Sequence, residues 1–276
     1  MERLGISFLS KMDWSEASME TNKIVFFDLD GTLLTSELTV SDSSIEAIKK
    51  LKENGVEPII ATGRTLMEIG YILEATGINS VVAMNGQYVM YKGTVIYENQ
   101  LDVRAVKELH LDAMKNRHEM AFYNADKICV TKKGSSLIMK NYERVGGKYP
   151  PINEGLYNQE PIHLMLIFCE PGEEAYYQEK FPHFQFIRNS PYGCDIYPTG
   201  KSKATGIEYL LSHINCSVEN TYAFGDGLND LEMFELVKYP VAMGNAFDIV
   251  KKSASYVTTS NNEDGIANGL KLCGII

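Results

Sequence analysis

A few short segments of this chain hold most of its chemically capable side chains. Asp28-Leu29-Asp30-Gly31-Thr32 sets two carboxylates at i and i+2, followed by a glycine and a hydroxyl. Two acids so spaced on a turn can share one cation and still present a free oxygen. A hard cation such as Mg2+ takes oxygen ligands and usually keeps several waters. Thr62-Gly63-Arg64 offers a hydroxyl and backbone amides where a helix begins, which suits an anion. Gly200-Lys201-Ser202-Lys203 supplies cations, and Gly225-Asp226-Gly227-Leu228-Asn229-Asp230 adds further acids and an amide. Acids for a metal, donors for an anion and a lysine together describe a phosphoryl-transfer site.

Segments this far apart must be gathered by the ends of strands. Ligands of open α/β sheets bind beyond the carboxyl ends of the strands, and the hydrophobic pattern places each segment there. The apolar run at 24–27 predicts a strand buried on both faces. Helical spacing follows at Ile45, Ile48 and Leu51, then a strand at 58–61, a helix at 66–73 and a strand at 81–83. This rhythm predicts a doubly wound, Rossmann-like parallel α/β sheet. A hairpin at 87–90 and 94–97 comes next, and then α+β patterning with antiparallel character. The α/β rhythm returns after about 190, with strands at 222–225 and 240–243. The expected division is an N-terminal extension at 1–22, a core at 23–97, an inserted α+β cap domain at 98–190, and the rest of the core at 191–276. Linkers near 97–101 and 189–192 would join cap and core, and two short crossings favour hinge motion.

Composition narrows the partners. The chain has 276 residues, 26 basic and 36 acidic, for a formal charge of −10. That acidic balance argues against a general nucleic-acid or anionic-membrane binder, and no apolar run reaches membrane-spanning length. A small phosphorylated molecule is the expected partner, and a monomer or weak homo-oligomer the expected state. Five cysteines, an odd number with no C-x-x-C pair, fit a reducing, cytoplasmic setting without disulfides or zinc. The histidines show no metal spacing and read as structural. Residues 1–22 read as a polar extension holding Trp14, the only tryptophan, with Met19 as an alternative start.

With these pieces in order, the sequence resembles the haloacid dehalogenase-like hydrolase superfamily, over roughly residues 23–272. The matching motifs are Asp28-Leu29-Asp30-Gly31-Thr32, Thr62, Lys203 and Gly225-Asp226-Gly227-Leu228-Asn229-Asp230. The insert looks like the type IIB cap of Cof-type sugar phosphatases, as do Val241-Ala242-Met243-Gly244-Asn245-Ala246 and Glu263-Asp264-Gly265-Ile266. The resemblance implies a Mg2+-dependent phosphatase acting on small phosphorylated metabolites, sugar phosphates above all. Asp28 would be the nucleophile that forms an aspartyl-phosphate. Asp30 would be the acid to the leaving alcohol and then the base toward water. Asp28, the backbone carbonyl of Asp30 and Asp226 would hold Mg2+. Thr62, the Gly63 and Leu29 amides, Lys203 and Asn229 would bind phosphoryl oxygens, with Asp230 behind them. Arg64 and Asn85 are further candidate substrate contacts.

One departure stands out. Ala204 follows Lys203 where the family usually has glycine, and Lys201 competes for the same role. Lys203 is the better candidate, because it opens the helix that carries Ile207 and Leu210. Alternatives of the same chemistry are a phosphomutase or a dedicated sucrose- or trehalose-phosphate phosphatase. A non-catalytic phospho-ligand sensor is a different class, disfavoured because every catalytic position holds a competent residue.

Overall fold

The computed structural model describes residues 23–276, so the expected extension with Trp14 and Met19 lies outside the described residues. In chain order the first run is β1 (Ile24–Phe27), α1 (Asp42–Glu53), β2 (Glu57–Ala61), α2 (Leu66–Thr76), β3 (Val81–Ala83), and the hairpin strands β4 (Tyr88–Tyr91) and β5 (Thr94–Glu98). The middle run is α3 (Val103–Lys115), β6 (Glu119–Tyr123), β7 (Ile128–Val130), α4 (Ser136–Arg144), β8 (Leu164–Phe168), α5 (Glu174–Lys180), β9 (Phe184–Ser190) and β10 (Gly193–Pro198). The last run is α6 (Lys203–His213), β11 (Thr221–Gly225), α7 (Leu231–Leu236), β12 (Tyr239–Ala242), α8 (Asp248–Ser253), β13 (Tyr256–Val257) and α9 (Gly265–Leu272).

Among the described residues the strands form two sheets. The larger has the order β13-β12-β11-β1-β2-β3-β4-β5, parallel except for the β4–β5 hairpin at one edge. Its middle strand, β1, is buried at every position, and the period of two divides its side chains between two cores. Val25 and Phe27 pack with residues of α1, α2 and α9, such as Ile48, Ile69 and Leu270. Ile24 and Phe26 pack on the other face with α6, α7 and α8, through Leu210, Phe234 and Val250. This is a doubly wound α/β fold. The chain leaves β1 toward β2 on one side, while β11 leads to β12 on the other. A topological switch therefore opens at the carboxyl ends of β1 and β11, where such folds bind ligands.

The smaller sheet is antiparallel, in the order β7-β6-β8-β10-β9. It too obeys the period of two. Met120, Phe122, Met165, Ile167 and Ile196 face α3 and α5, and cluster with Leu109, Tyr177 and Phe181. Ala121, Tyr123, Leu164 and Leu166 face the other way, with α4 and the core. One face is thus closed by helices and the other forms a roof over the switch point.

The expected boundary at 190 needs correction. β10, residues 193–198, pairs with both β8 and β9 and belongs to the roof sheet. The second crossing falls after Pro198, in the Gly200-Lys201-Ser202 loop that leads into α6, and not at 189–192. Glycine at one end, proline at the other and Asp195 between them mask the strand pattern, since all three are poor strand formers. No helix among the described residues is long and apolar enough to cross a membrane.

Candidate active site

β1 ends at Phe27, and Asp28 follows it directly, 6% exposed, with its amide donating to Phe224 O at 3.0 Å. The loop then turns at Gly31, whose φ is +79°. A Cβ there would lie 2.4 Å from Asp226 Oδ2, so only glycine lets the two acidic loops approach. Asp226 follows β11. It accepts from Thr32 Oγ1 at 2.9 Å and from Asn245 Nδ2 at 3.3 Å, while Asn245 also donates to Gly31 O at 2.8 Å. Asp28, Asp226 and Asp230 bring carboxylate oxygens within 4.8 Å of one another.

Lys203 opens α6 behind Ser202, whose hydroxyl and the Thr205 side chain cap the first turn. Its stem is buried, and Nζ donates to Asp28 Oδ1 at 2.5 Å and to Asp230 Oδ1 at 2.7 Å. Asp230 in turn accepts at Oδ2 from the amides of Asp226 and Gly227, at 3.1 and 3.0 Å. It therefore braces the lysine and the acidic loop together. Lys201 sits in the preceding loop and does not border the cavity.

The charges are crowded. Burial, with Asp230 as the next cause, pushes the Asp28 carboxyl well above the ordinary range, and Lys203 only partly offsets this. The same two causes push Asp226 up to about 6. Burial opposes the charge on Lys203, but Asp230 and Asp28 outweigh it and hold the ammonium above the ordinary lysine range. Carboxylates gathered this tightly around one lysine favour an added cation.

Thr62 and Gly63 follow β2. Thr62 Oγ1 accepts from the Arg64 amide at 3.1 Å, and Thr65 with Glu68 forms a capping box for α2. Arg64 grips both oxygens of Asp30, at 2.9 and 2.5 Å. The expectation for Arg64 was a substrate contact, and its partner here is the second aspartate of the first motif. Asn85, on the turn after β3, donates from Nδ2 to Asp195 Oδ2 at 3.0 Å.

Asp28, Asp30, Gly63, Arg64, Asn85, Asp226 and Asn229 all border one cavity of about 380 Å³. The roof contributes Tyr123, Tyr142, Leu164, Leu166, Ile187 and Asp195 to the same space. Leu29 and Thr62 are buried, each next in sequence to residues that line it. Sequence reasoning quoted Thr32 and Asn245 within matching motifs but gave neither a role, and it passed over Asp195. Asn245 follows a glycine just after a core strand, and Asp195 is an acid within an alternating strand. The strand before Asn245 was already expected at 240–243, whereas the Asp195 signal is visible only once β10 is recognised as a strand.

This combination defines a class. Residues 25–270 match the family model for haloacid dehalogenase-like hydrolases, and the chain belongs to that family, in its phosphatase branch. The chain is 35% identical over 255 residues to YkrA of Bacillus subtilis (strain 168), a provisionally named phosphatase, covering 92% of this chain and 99% of that one. It is 29% identical to the B. subtilis 5-amino-6-(5-phospho-D-ribitylamino)uracil phosphatase YcsE, over 90% of this chain and 94% of that one. Among solved structures, a hypothetical protein from Geobacillus kaustophilus HTA426 matches with a TM-score of 0.87 and 38% identity, over 92% of this chain and all of the other. The HAD subclass IIB sugar phosphatase BT4131 matches with a TM-score of 0.82 and 29% identity, over 92% of this chain and 100% of the other.

Proposed function

We propose that the protein is a Mg2+-dependent phosphatase that hydrolyses sugar or sugar-alcohol phosphates through a phosphorylated Asp28. The observation that carries this reading is Asp28 at the end of β1, held by Lys203 beneath a roof of mixed polar and apolar side chains. The relatives' substrates, a sugar phosphate class for BT4131 and a phosphoribityl compound for YcsE, share a hydroxylated chain next to the phosphate. The five cysteines, all free, suit the reducing cytoplasm proposed as the location.

The donor set suits a hard divalent cation, because Asp28, Asp226 and Asp230 offer oxygen only. Asp28, the Asp30 carbonyl and Asp226 would hold the ion, while Asp230 has both oxygens engaged with Lys203 and backbone amides. When bound, the ion would supply charge neutralisation for the phosphoryl oxygens and for Asp28 facing them.

The chain's own residues do the rest. Lys203, Thr62, Asn229 and the Leu29 and Gly63 amides bind the phosphoryl oxygens. An Asp28 oxygen attacks phosphorus, and the bond to the alcohol oxygen breaks as Asp30 gives that oxygen a proton. Asp30 then takes a proton from water, the water oxygen attacks phosphorus, and Asp28 is restored. Arg64 fixes where the Asp30 carboxyl points. The roof excludes bulk water and touches the part of the substrate beyond the phosphate.

A panel of phosphomonoesters with the purified protein tests the reading. Sugar and polyol phosphates should be hydrolysed with Mg2+ and spared after exhaustive EDTA treatment. Full turnover of p-nitrophenyl phosphate without any divalent cation would contradict it.

A further inference from the structure

On the helix-covered face of the roof, two cysteines lie side by side. Cys169 directly follows β8, and Cys194 is the second residue of β10, the strand paired with β8. Both are fully buried and belong to the cluster that contains Ile167, Tyr177 and Phe186. Cysteine often fills such a core as a small apolar side chain. A guanidinium makes this pair different. Arg188, on β9 opposite Cys194, donates from Nη2 to Cys169 Sγ at 3.3 Å. The same side chain donates to the backbone oxygens of Cys169, Glu170 and Ser190 and to both carboxylate oxygens of Glu174.

The two sulfurs are not equivalent. The Cys194 thiol donates to Cys169, Arg188 adds a second donor, and together they hold the Cys169 thiol below its ordinary pKa against the effect of burial. Cys194, which gives its proton to that bond and is itself buried, is pushed well above the ordinary range. The thiolate is the nucleophilic form, and reactive cysteines sit beside arginine or lysine. Cys169 Sγ, Cys194 Sγ and a Glu174 carboxylate oxygen come within 4.8 Å of one another. Such a set could suggest a metal ion. The guanidinium, however, already holds both oxygens of Glu174, and its charge opposes a cation beside it.

Burial restricts the pair to small reagents, and one approach is open to them. Cys169 borders a second cavity of about 440 Å³, lined also by Arg117, His118, Glu119, Lys132 and Glu173. Its polar walls suit water, and hydrogen peroxide is nearly as small and bonds through the same groups. The strands leave the sulfurs room to approach each other. Cys169 stands just past the end of β8, and the register of β9 with β10 shifts between Gly193 and Cys194. Arg188 borders the main cavity as well, so one side chain links the pair to the proposed active site.

We propose that Cys169 and Cys194 are a peroxide-oxidisable thiol pair that closes reversibly into a disulfide across β8 and β10. The Cys169 thiolate attacks one peroxide oxygen, the O–O bond breaks, and the departing hydroxide takes up a proton to leave as water. Cys169 is then a sulfenic acid. The Cys194 sulfur attacks the Cys169 sulfur, the S–O bond breaks, and the hydroxyl leaves as water with the Cys194 proton. Two thiols lose two electrons in all, and one peroxide becomes two waters. A thiol reductant reverses the bond. In a reducing compartment such disulfides are transient and redox-sensing. None of these steps requires the phosphatase reading.

The reduced, full-length protein, freed of metal with EDTA, is treated with a slight excess of hydrogen peroxide while native. Free thiols are then blocked in denaturant, and tryptic peptides are sequenced by mass spectrometry. Trypsin cuts after Lys180 and Arg188 and so separates the two cysteines. The expected product is peptide 149–180 joined to peptide 189–201, short of two hydrogens and parted by dithiothreitol. Cys169 should be consumed about tenfold or more faster than the half-buried Cys216 and Cys273. In Cys194→Ser, a dimedone adduct should collect on Cys169, because its sulfenic acid has lost the second thiol. In Cys169→Ser, Cys194 should stay reduced. The natural sequence decides the matter even where a serine variant fails to fold. Oxidation of Cys216 or Cys273 while Cys169 and Cys194 remain thiols would overturn the proposal. So would Cys169 taken to its sulfinic acid with Cys194 left free, or Cys194 oxidised equally fast without Cys169.

Discussion

At the scale of single residues, the site is a set of carboxylates that repel one another and are held together by the backbone. Asp226 shows the consequence, pushed up to about 6 by burial and by Asp230. A carboxyl raised in the folded state favours its neutral form there. The stability it lends is complete below its unfolded value of about 3.9, and is lost as pH rises through about 6. Asp28 is raised as well and acts in the same sense. On the proposed metal site, Mg2+ would bind the ionised forms, so the gain in Tm on adding it should be larger at about pH 7 than at about pH 5. Scanning calorimetry with and without EDTA at the two pH values checks this, and equal gains at both would contradict it. Asp30→Asn should slow alkyl phosphates more than aryl phosphates, whose leaving groups need no proton. Equal losses on the two ester classes would argue against Asp30 as the leaving-group acid. That Asp28, Asp30 and Asp226 border one cavity was legible in the sequence, because each follows an expected strand end of one α/β sheet. The Arg64–Asp30 pair was not, because nothing local to either segment says that the two loops touch.

At the scale of elements, α6 is set by its contact with the turn that carries Asn85. A Cβ on Gly86 would lie 2.1 Å from Ser202 O, at a φ of +85°. Gly86→Ala should therefore move Ser202 and the start of α6, and with it Lys203. Stability should fall by about 1–3 kcal/mol from backbone strain alone, and hydrolysis should fall with it. A urea midpoint and an activity both equal to those of the natural protein would show that the turn yields without moving the helix. The core strands were readable because β1 is apolar throughout and β11 nearly so, as burial on both faces demands. β10 was not readable. Its pattern of Cys194 and Ile196 against Asp195 and Tyr197 makes sense only when one face is known to meet α3 and α5 and the other a polar cavity.

At the scale of the whole molecule, two sheets share one cavity, and the roof's Tyr123, Leu164 and Leu166 join the same apolar cluster as the core's Phe27 and Phe224. The position of β10 makes a distinct prediction about excision. Removing residues 100–198 with a short linker should leave a cooperatively folding core. Removing 98–190 should leave β10 without its partners β8 and β9, exposing Ile196 and an unpaired edge that promotes aggregation. Soluble, cooperative unfolding of the second truncation would place β10 with the core after all. In the first, sugar phosphates should lose kcat/KM heavily while acetyl phosphate, which has little to offer the roof, loses less. The central claim is that the assembled molecule passes the phosphoryl group through Asp28. Acid quench during turnover, borohydride reduction and tandem mass spectrometry test it directly, because an acyl phosphate is reduced to the alcohol. The account predicts homoserine at position 28, absent when Asp28→Asn is used. Reduction at another residue, or none at all in an enzyme shown to be turning over, would contradict it.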